Sequence, residues 1–351
     1  MADFPLLTLA GSPAERGLTH GRLAAERIRD GVEFYRGLLA ADGLRGRPLA
    51  RACARLAEGI EAFDAAMLAE LEGIARGAGV SLAEVISLNA RSELMRLADE
   101  GCTSVAVLPR DGGHALLAQN WDWHPSRAAT GVVLRILPDE GPAILSFAEA
   151  GVLARCGLNE LGLGVVGNAL ECEGGWRPGG VPVALLRRRI LESATPAEAV
   201  GAVCAAARGT AVNHLIASAA GEVIDCETTP AEVYEVGAEN GLLGHSNHFL
   251  APRAQQELVD TGIARHPDTL ARAPRIRELV AARRQPTVAD LQAALRDHEG
   301  YPDAICRHAT TIELRTWTTV ASIVMDLDQR RLWVAAGPPC ESTYREHRLK
   351  G

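Results

Sequence analysis

The chain has 351 residues, long enough to bury a sizeable core, with 47% hydrophobic and 23% charged residues. Its formal net charge of −8 speaks against a nucleic-acid binder, and its short basic runs, such as Arg187-Arg188-Arg189, read as a solvated helix face. No apolar stretch is long enough to span a membrane, and the opening Met1-Ala2-Asp3-Phe4-Pro5 lacks both regions of a signal peptide, so a cytoplasmic protein with no membrane and no nucleic-acid partner is expected. Ser12-Pro13-Ala14-Glu15 is a capping box with proline at the first helical position, and it predicts a helix to about Leu39. A second helix is expected from about Leu49 to Gly77, with an interruption near Gly59. Ser81-Leu82-Ala83-Glu84, another capping box, opens a third helix to about Leu97. After Cys102 the apolar period becomes that of strands, expected near 104–109, 114–120, 131–137, 143–148 and 161–168. Helices follow near 182–192 and 196–207, then strands at 212–218, 222–228 and 232–236. The stretch 251–300 reads as helical, with Thr287 capping 288–297, and strands near 318–326 and 331–336 close the chain. No repeat or linker interrupts it, so one domain over 1–351 is expected: an α+β fold with two stacked sheets between helical layers.

The stretch Asp99-Glu100-Gly101-Cys102-Thr103-Ser104 stands where helices give way to strands. If 104–109 and 114–122 pair antiparallel, Asp122 in Gln119-Asn120-Trp121-Asp122-Trp123 comes close to Cys102. Gly101 leaves the preceding peptide free to take a strained geometry. The Cys102 sulfur can then attack the Gly101 carbonyl, the acyl group shifts from nitrogen to sulfur, and water releases the helical fragment. The new α-amino group, with a reference pKa of about 7.7–8.0, serves as a base built into the nucleophile's own residue.

These residues resemble a known family. Gly101-Cys102-Thr103-Ser104, Gln119-Asn120-Trp121-Asp122 and Ser246-Asn247-His248-Phe249 look like the isopenicillin N acyltransferase family of N-terminal nucleophile hydrolases. Gly157-Leu158-Asn159-Glu160 through Gly167-Asn168 is similar to the more distant bile salt hydrolases, and Arg16-Gly17 to Gly21-Arg22 and Met325-Asp326 to Gly337-Pro338-Pro339-Cys340 fit as well. The resemblance implies a four-layer αββα fold with a helical N-terminal third, cleavage between Gly101 and Cys102, and fragments 1–101 and 102–351 that stay associated. It implies Cys102 as nucleophile, Asp122 beside its amino group, Asn247 and Asn168 as donors to the oxyanion, and Ser104 as an aid to cleavage. One oxyanion donor is typically worth about 10²–10³ in rate. One departure is evident: bile salt hydrolases carry an Arg where Ser322 falls here, in Thr319-Val320-Ala321-Ser322, leaving Arg307 or Arg315 to supply charge.

Hydrolysis of a small N-acyl amide through a Cys102 thioester is the expected reaction, because it needs no second pocket. Acyl transfer to an amine, with an acyl-CoA as one donor, is the alternative, and an uncleaved binding protein on the same fold is a third reading. Trp121, Trp123, Ser322 and Arg307 are the expected substrate contacts. The eight cysteines lie no closer than 156 and 172, so no CxxC exists, and His245 and His248 flank Asn247 without a third ligand in pattern. No metal and no cofactor are expected, and His308 is a candidate pocket residue. Gly162-Leu163-Gly164-Val165-Val166-Gly167 matches GxGxxG but lacks the following helix, so its glycines are expected to allow close packing rather than to hold a dinucleotide.

Overall fold

The structure is a computed structural model and describes residues 3–95, 101–109, 112–311 and 316–349. Asp99, Glu100 and Arg315 lie outside the described residues. The N-terminal third holds strand β1 (Leu6–Gly11) and helices α1 (Pro13–Leu23), α2 (Ala25–Ala41), α3 (Gly46–Phe63), α4 (Ala65–Ala78), α5 (Leu82–Asn89) and α6 (Arg91–Met95). Both capping boxes form: the Glu15 and Glu84 carboxylates accept from the Ser12 and Ser81 backbone N–H groups. The long helices expected from periodicity are each split. The first breaks at Ala24; the second breaks at Asp64 rather than near Gly59, because the Asp64 carboxylate accepts from the Ala66 and Met67 N–H groups and starts a new helix.

Helices α1 and α4 pack backbone to backbone through Gly17 and Gly21 on one and Gly73 and Gly77 on the other. A Cβ on Gly17 would lie 2.0 Å from the Glu70 carbonyl oxygen, and one on Gly77 would lie 2.4 Å from that of Leu18. No side chain larger than hydrogen fits there.

The remaining strands are β2 (Gly101–Val107), β3 (Leu116–Trp123), β4 (Gly131–Pro138), β5 (Ile144–Glu149), β6 (Cys156–Asn159), β7 (Leu163–Val166), β8 (Val212–Ser218), β9 (Val223–Thr228), β10 (Val233–Val236), β11 (Leu242–His245), β12 (Thr318–Asp326), β13 (Arg331–Ala336) and β14 (Arg345–Arg348). Helices α7 (Val183–Glu192), α8 (Pro196–Ala205), α9 (Pro252–Glu257), α10 (Gly262–Arg265), α11 (Thr269–Ala281) and α12 (Val288–Ala294) complete the list. Two sheets result. One has the order β1-β4-β5-β6-β7-β8-β9-β10, the other β11-β2-β3-β12-β13-β14. β1 joins the larger sheet parallel to β4, so the N-terminal third supplies a strand as well as helices.

The layers follow from the alternation of side chains along the strands. Ala106, Leu117, Ile323 and Met325 of the smaller sheet share a core with Leu145, Leu158 and Val165 of the larger. Val105, Val107, Leu116 and Val324 face the other way, onto Ile276 and Val280 of α11 and Leu291 of α12. Helices α7 and α8 lie on the larger sheet, and Ile28 and Leu88 of the N-terminal helices belong to its core. The order is helix, sheet, sheet, helix, the α+β architecture expected. The GxGxxG stretch is β7 and its edges: a Cβ on Gly164 would meet Leu327 at 2.7 Å and Leu117 at 3.3 Å, so its glycine lets the two sheets approach. Among the described residues no helix is long and apolar enough to cross a membrane.

The triple arginine run departs from expectation. Arg187 and Arg188 are buried; Arg188 meets Glu70 at 3.3 Å and Glu192 at 2.9 Å, and Glu70 also binds Arg16 at 2.7 Å. The buried Glu70 carboxylate, with Glu192 at the rim, offsets the desolvation of the Arg188 guanidinium, which no solvated helix face would require.

Candidate active site

β2 and β3 pair antiparallel with Gly101 opposite Asp122, Cys102 opposite Trp121 and Ser104 opposite Gln119. Opposed residues share a face. Cys102, Ser104 and Trp121 therefore point between the sheets, while Gly101, Thr103 and Asp122 lie on the face toward α11. The Cys102 backbone N–H donates to Asn247 Oδ1 at 2.9 Å. Its sulfur lies 3.6 Å from Arg155 Nη2, and the Arg155 guanidinium stacks 3.9 Å over the Trp121 ring. Cys102 is wholly buried.

Asp122 is on the side of the 101–102 peptide rather than on the side of the thiol. Its Oδ1 accepts from Thr319 Oγ1 at 2.7 Å, and Arg307 Nε lies 3.5 Å from Oδ2, which has no hydrogen-bond partner among the described residues. Burial raises the Asp122 pKa, against the pull of Arg307, Arg272 and the Thr319 hydroxyl. A Cβ on Gly101 would lie 2.9 Å from that Oδ2 and 3.4 Å from Trp317, so any larger residue before Cys102 must shift the Asp122 side chain.

Arg272, on the first turns of α11, ties the site together. Its Nη1 donates to the Cys102 carbonyl at 2.6 Å and to Thr103 Oγ1 at 2.9 Å, its Nη2 to Asn247 Oδ1 at 3.0 Å, and its Nε to Asp268 at 2.9 Å. With two donors on its oxygen, Asn247 turns its Nδ2 to the Ala169 carbonyl at 3.0 Å. Ser104 donates to Asn168 Oδ1 at 2.7 Å, and Asn168 Nδ2 reaches the His245 carbonyl at 3.5 Å.

A buried polar network holds the loop that carries Asn247. Asn213 donates to Asp225 at 2.8 Å, and His245 Nε2 meets Glu227 at 2.7 Å and Asp225 at 3.6 Å. The other Glu227 oxygen accepts from the Ala251 N–H. Burial works against a charged His245, but Asp225 and Glu227 outweigh it and push its pKa up to about 9. His248, buried without such carboxylate contacts, falls to about 4. Thr269 Oγ1, at the start of α11, accepts from the Asn247 N–H at 2.7 Å.

Of the expected substrate contacts, Trp121 lies beside Cys102. Arg307 faces Asp122 and is also paired with Asp268 and Asp303. Trp123 lies deeper, with its Nε1 donating to Tyr35 Oη at 3.0 Å. Ser322 is a correction: it is buried opposite Asn120, on the face away from the Cys102 sulfur, and its hydroxyl bonds Tyr344 Oη at 2.6 Å. His308 is another, drawn into a cluster with Cys306 and Cys340. Arg155 and Arg272 were missed. Every basic residue but Lys350 is an arginine, so one more Arg carries no local signal. Arg155 also lines a cavity of about 50 Å³ with Arg91, Arg187 and Glu149, room for water rather than for a substrate.

The profile of the family described as "AAT: Acyl-coenzyme A:6-aminopenicillanic acid acyl-transferase" matches residues 109–341. The chain belongs to this family. It is 29% identical over 341 residues to the acyl-coenzyme A:6-aminopenicillanic-acid-acyltransferase 40 kDa form of Emericella nidulans, covering 95% of this chain and 92% of that protein. Among solved structures, the C2A mutant of the conjugated bile acid hydrolase from Clostridium perfringens matches with a TM-score of 0.49 at 14% identity, over 71% of this chain and 94% of that one. Penicillin V acylase from Agrobacterium tumefaciens matches with a TM-score of 0.48 at 13% identity, over 67% and 83%. Like its family, the chain is an enzyme of acyl-group chemistry at C–N bonds.

Proposed function

We propose that the chain cleaves itself between Gly101 and Cys102 and then acts as an N-terminal cysteine amidohydrolase on a small N-acyl amide. The observation that carries this reading is how Cys102 is held: its N–H, in the peptide to be cut, on Asn247, its own carbonyl, in the next peptide, on Arg272, and the Asp122 carboxylate against Gly101. In the precursor the Cys102 thiolate attacks the Gly101 carbonyl carbon and the Cys102 nitrogen leaves with a proton. Water then hydrolyses the thioester, giving a Gly101 carboxylate and a free Cys102 amine. That amine keeps Asn247 Oδ1 as its acceptor and gains Asp122 as a neighbour, and departure of Gly101 opens space beside the sulfur.

In the processed enzyme the amine takes the thiol proton, the sulfur attacks the substrate carbonyl, and the amine returns the proton to the leaving nitrogen. Asn247 and Asn168 are the proposed oxyanion donors; for Asn247 this role requires Nδ2 to leave the Ala169 carbonyl as substrate binds. Arg155 beside the sulfur favours a thiolate and suits a substrate with a carboxylate near the scissile amide. It supplies the charge that Ser322 does not. Acyl transfer to an amine shares the same thioester, and the relative named as an acyltransferase favours this second reading.

Denaturing mass spectrometry of the purified protein should give two fragments that divide at Cys102, and Cys102→Ala should give one intact chain. A wild-type chain that stays full length for days would refute the cleavage. Incubating one acyl-enzyme with rising amine concentration separates the two acceptors: product ratios insensitive to amine mark the hydrolase.

A further inference from the structure

On the far side of Arg307 from Asp122, four side chains from three separate stretches converge. His298 follows α12, Cys306 and His308 precede β12, and Cys340 lies in the turn after β13. Their ligand atoms all lie within 4.8 Å of one another. Cys306 Sγ is 3.6 Å from Cys340 Sγ and 3.6 Å from His308 Nε2, Cys340 Sγ is 3.3 Å from His308 Nε2, and the two Nε2 atoms of His298 and His308 are 3.2 Å apart.

We propose that His298, Cys306, His308 and Cys340 form a structural zinc site. A tetrahedral zinc with Zn–S of about 2.3 Å and Zn–N of about 2.05 Å sets ligand separations of about 3.8 Å for S···S, about 3.6 Å for S···N and about 3.3 Å for N···N. Four of the six separations fall within about 0.3 Å of these edges, and the other two, from His298 to the sulfurs, are no more than 4.8 Å, so His298 closes on the ion by a small side-chain shift. The 3.6 Å between the Cys306 and Cys340 sulfurs also exceeds a disulfide bond length, about 2.05 Å, by a wide margin. Two thiolates and two imidazoles are a donor set that zinc takes in preference to magnesium or calcium, and four protein ligands leave no open position, as a structural site requires. His308 Nδ1 faces Glu341 Oε1 at 3.4 Å, the carboxylate partner that orients a metal-bound imidazole. Cys340 and His298 are exposed, so an ion can enter from solvent. Binding is a ligand exchange with no redox step: Zn²⁺ displaces one proton from each of the two thiols, and both imidazoles bind neutral.

The site also has a place in the mechanics of the fold. Arg307 sits between ligands Cys306 and His308, and its backbone is paired with Thr319 through the Arg307 carbonyl at 3.0 Å. Its side chain faces Asp122. A metal gripping the residues on both sides anchors the loop that holds Arg307 against the active-site carboxylate. The site does not depend on the reaction proposed above, and metal content tests it apart from activity.

The test uses the whole chain, kept reduced. After equilibration with micromolar zinc and removal of free metal, elemental analysis should find about one zinc per chain. Replacement by Co²⁺ should produce thiolate-to-cobalt charge-transfer absorption in the near ultraviolet. Cys340→Ser, at an exposed position, should weaken zinc binding at least tenfold and cut that absorption by about half, and stripping the wild type with a chelator should lower its Tm. Wild-type protein that retains no zinc, or an intact mass and peptide map showing a Cys306–Cys340 disulfide in the freshly reduced and dialysed chain, would overturn the proposal. Zinc retained equally by wild type and Cys340→Ser would do so as well.

Discussion

Gly101 is held to hydrogen by a carboxylate. A methyl in place of its hydrogen meets Asp122 Oδ2 at 2.9 Å and the Asp122 Cβ at 3.1 Å, so a larger residue must push the Asp122 side chain from its Thr319 hydrogen bond or shift β2 against β3. Gly101→Val should therefore slow release of the N-terminal fragment by at least tenfold, with Gly101→Ala intermediate, as followed by denaturing mass spectrometry over time. Cleavage of the valine variant at the wild-type rate would mean that Asp122 does not bear on this peptide. Arg272 is the second decisive residue. Lysine in its place keeps a charge but cannot reach Cys102 O, Thr103, Asn247 and Asp268 at once. Arg272→Lys should lower kcat by about 10²-fold, the scale of losing one aligned polar contact to the reacting centre, with a smaller change in KM. Equal losses in the Lys and Ala variants would support the geometric account; full activity in Lys would reduce Arg272 to a charge.

At the scale of elements, the contact of α1 with α4 is unforgiving, because backbone meets backbone. A side chain at Gly77 must displace the Leu18 carbonyl, which is itself part of a helix. Gly77→Val should cost at least about 3 kcal/mol, in the range of severe overpacking, or abolish folding. Gly201, an exposed glycine inside α8 with nothing near its Cβ position, provides the control. Gly201→Ala should gain about 0.5–1 kcal/mol, the ordinary helix preference for alanine. Urea denaturation of the two variants beside the wild type reads both, and similar midpoints for all three would contradict the packing argument.

At the scale of the whole molecule, the N-terminal third is woven into the rest. β1 is a strand of the larger sheet, and Glu70 of α4 binds Arg188 of α7. Residues 1–101 and 102–351 should therefore co-elute in size exclusion after cleavage and part only in denaturant. The His245 network adds a pH dependence to this stability. His245 holds its proton with a pKa of about 9 in the fold, against about 6.5 unfolded. Its contribution is complete below about pH 6.5 and is lost as pH rises through 9, a loss on the order of a few kcal/mol. Thermal melts from pH 6.5 to 9.5 should show a falling Tm for the wild type and a flatter profile for His245→Gln. Parallel profiles would place the alkaline sensitivity elsewhere.

Much of this was legible in the chain itself. The change from helical to strand period at Cys102 and the Asp at the end of the next strand were enough to expect Asp122 close to Cys102, because antiparallel pairing of neighbouring strands follows from local pattern; the register that sets Gly101 opposite Asp122 came from the structure. Capping boxes at Ser12 and Ser81 were equally local. The short strands β1, β6, β11 and β14 escaped, since a strand of four to six residues owes its existence to the partner it pairs with. Arg155, Arg272 and the His298–Cys306–His308–Cys340 cluster were beyond reach for the same reason. Each depends on residues far apart in the chain meeting in space, at spacings that match no ligand motif, and only tertiary packing brings them within bonding distance. Short-range order was enough to single out Cys102 as the candidate nucleophile and to put it at the start of a strand, because both follow from neighbouring residues; folding in three dimensions decided which charges surround its sulfur.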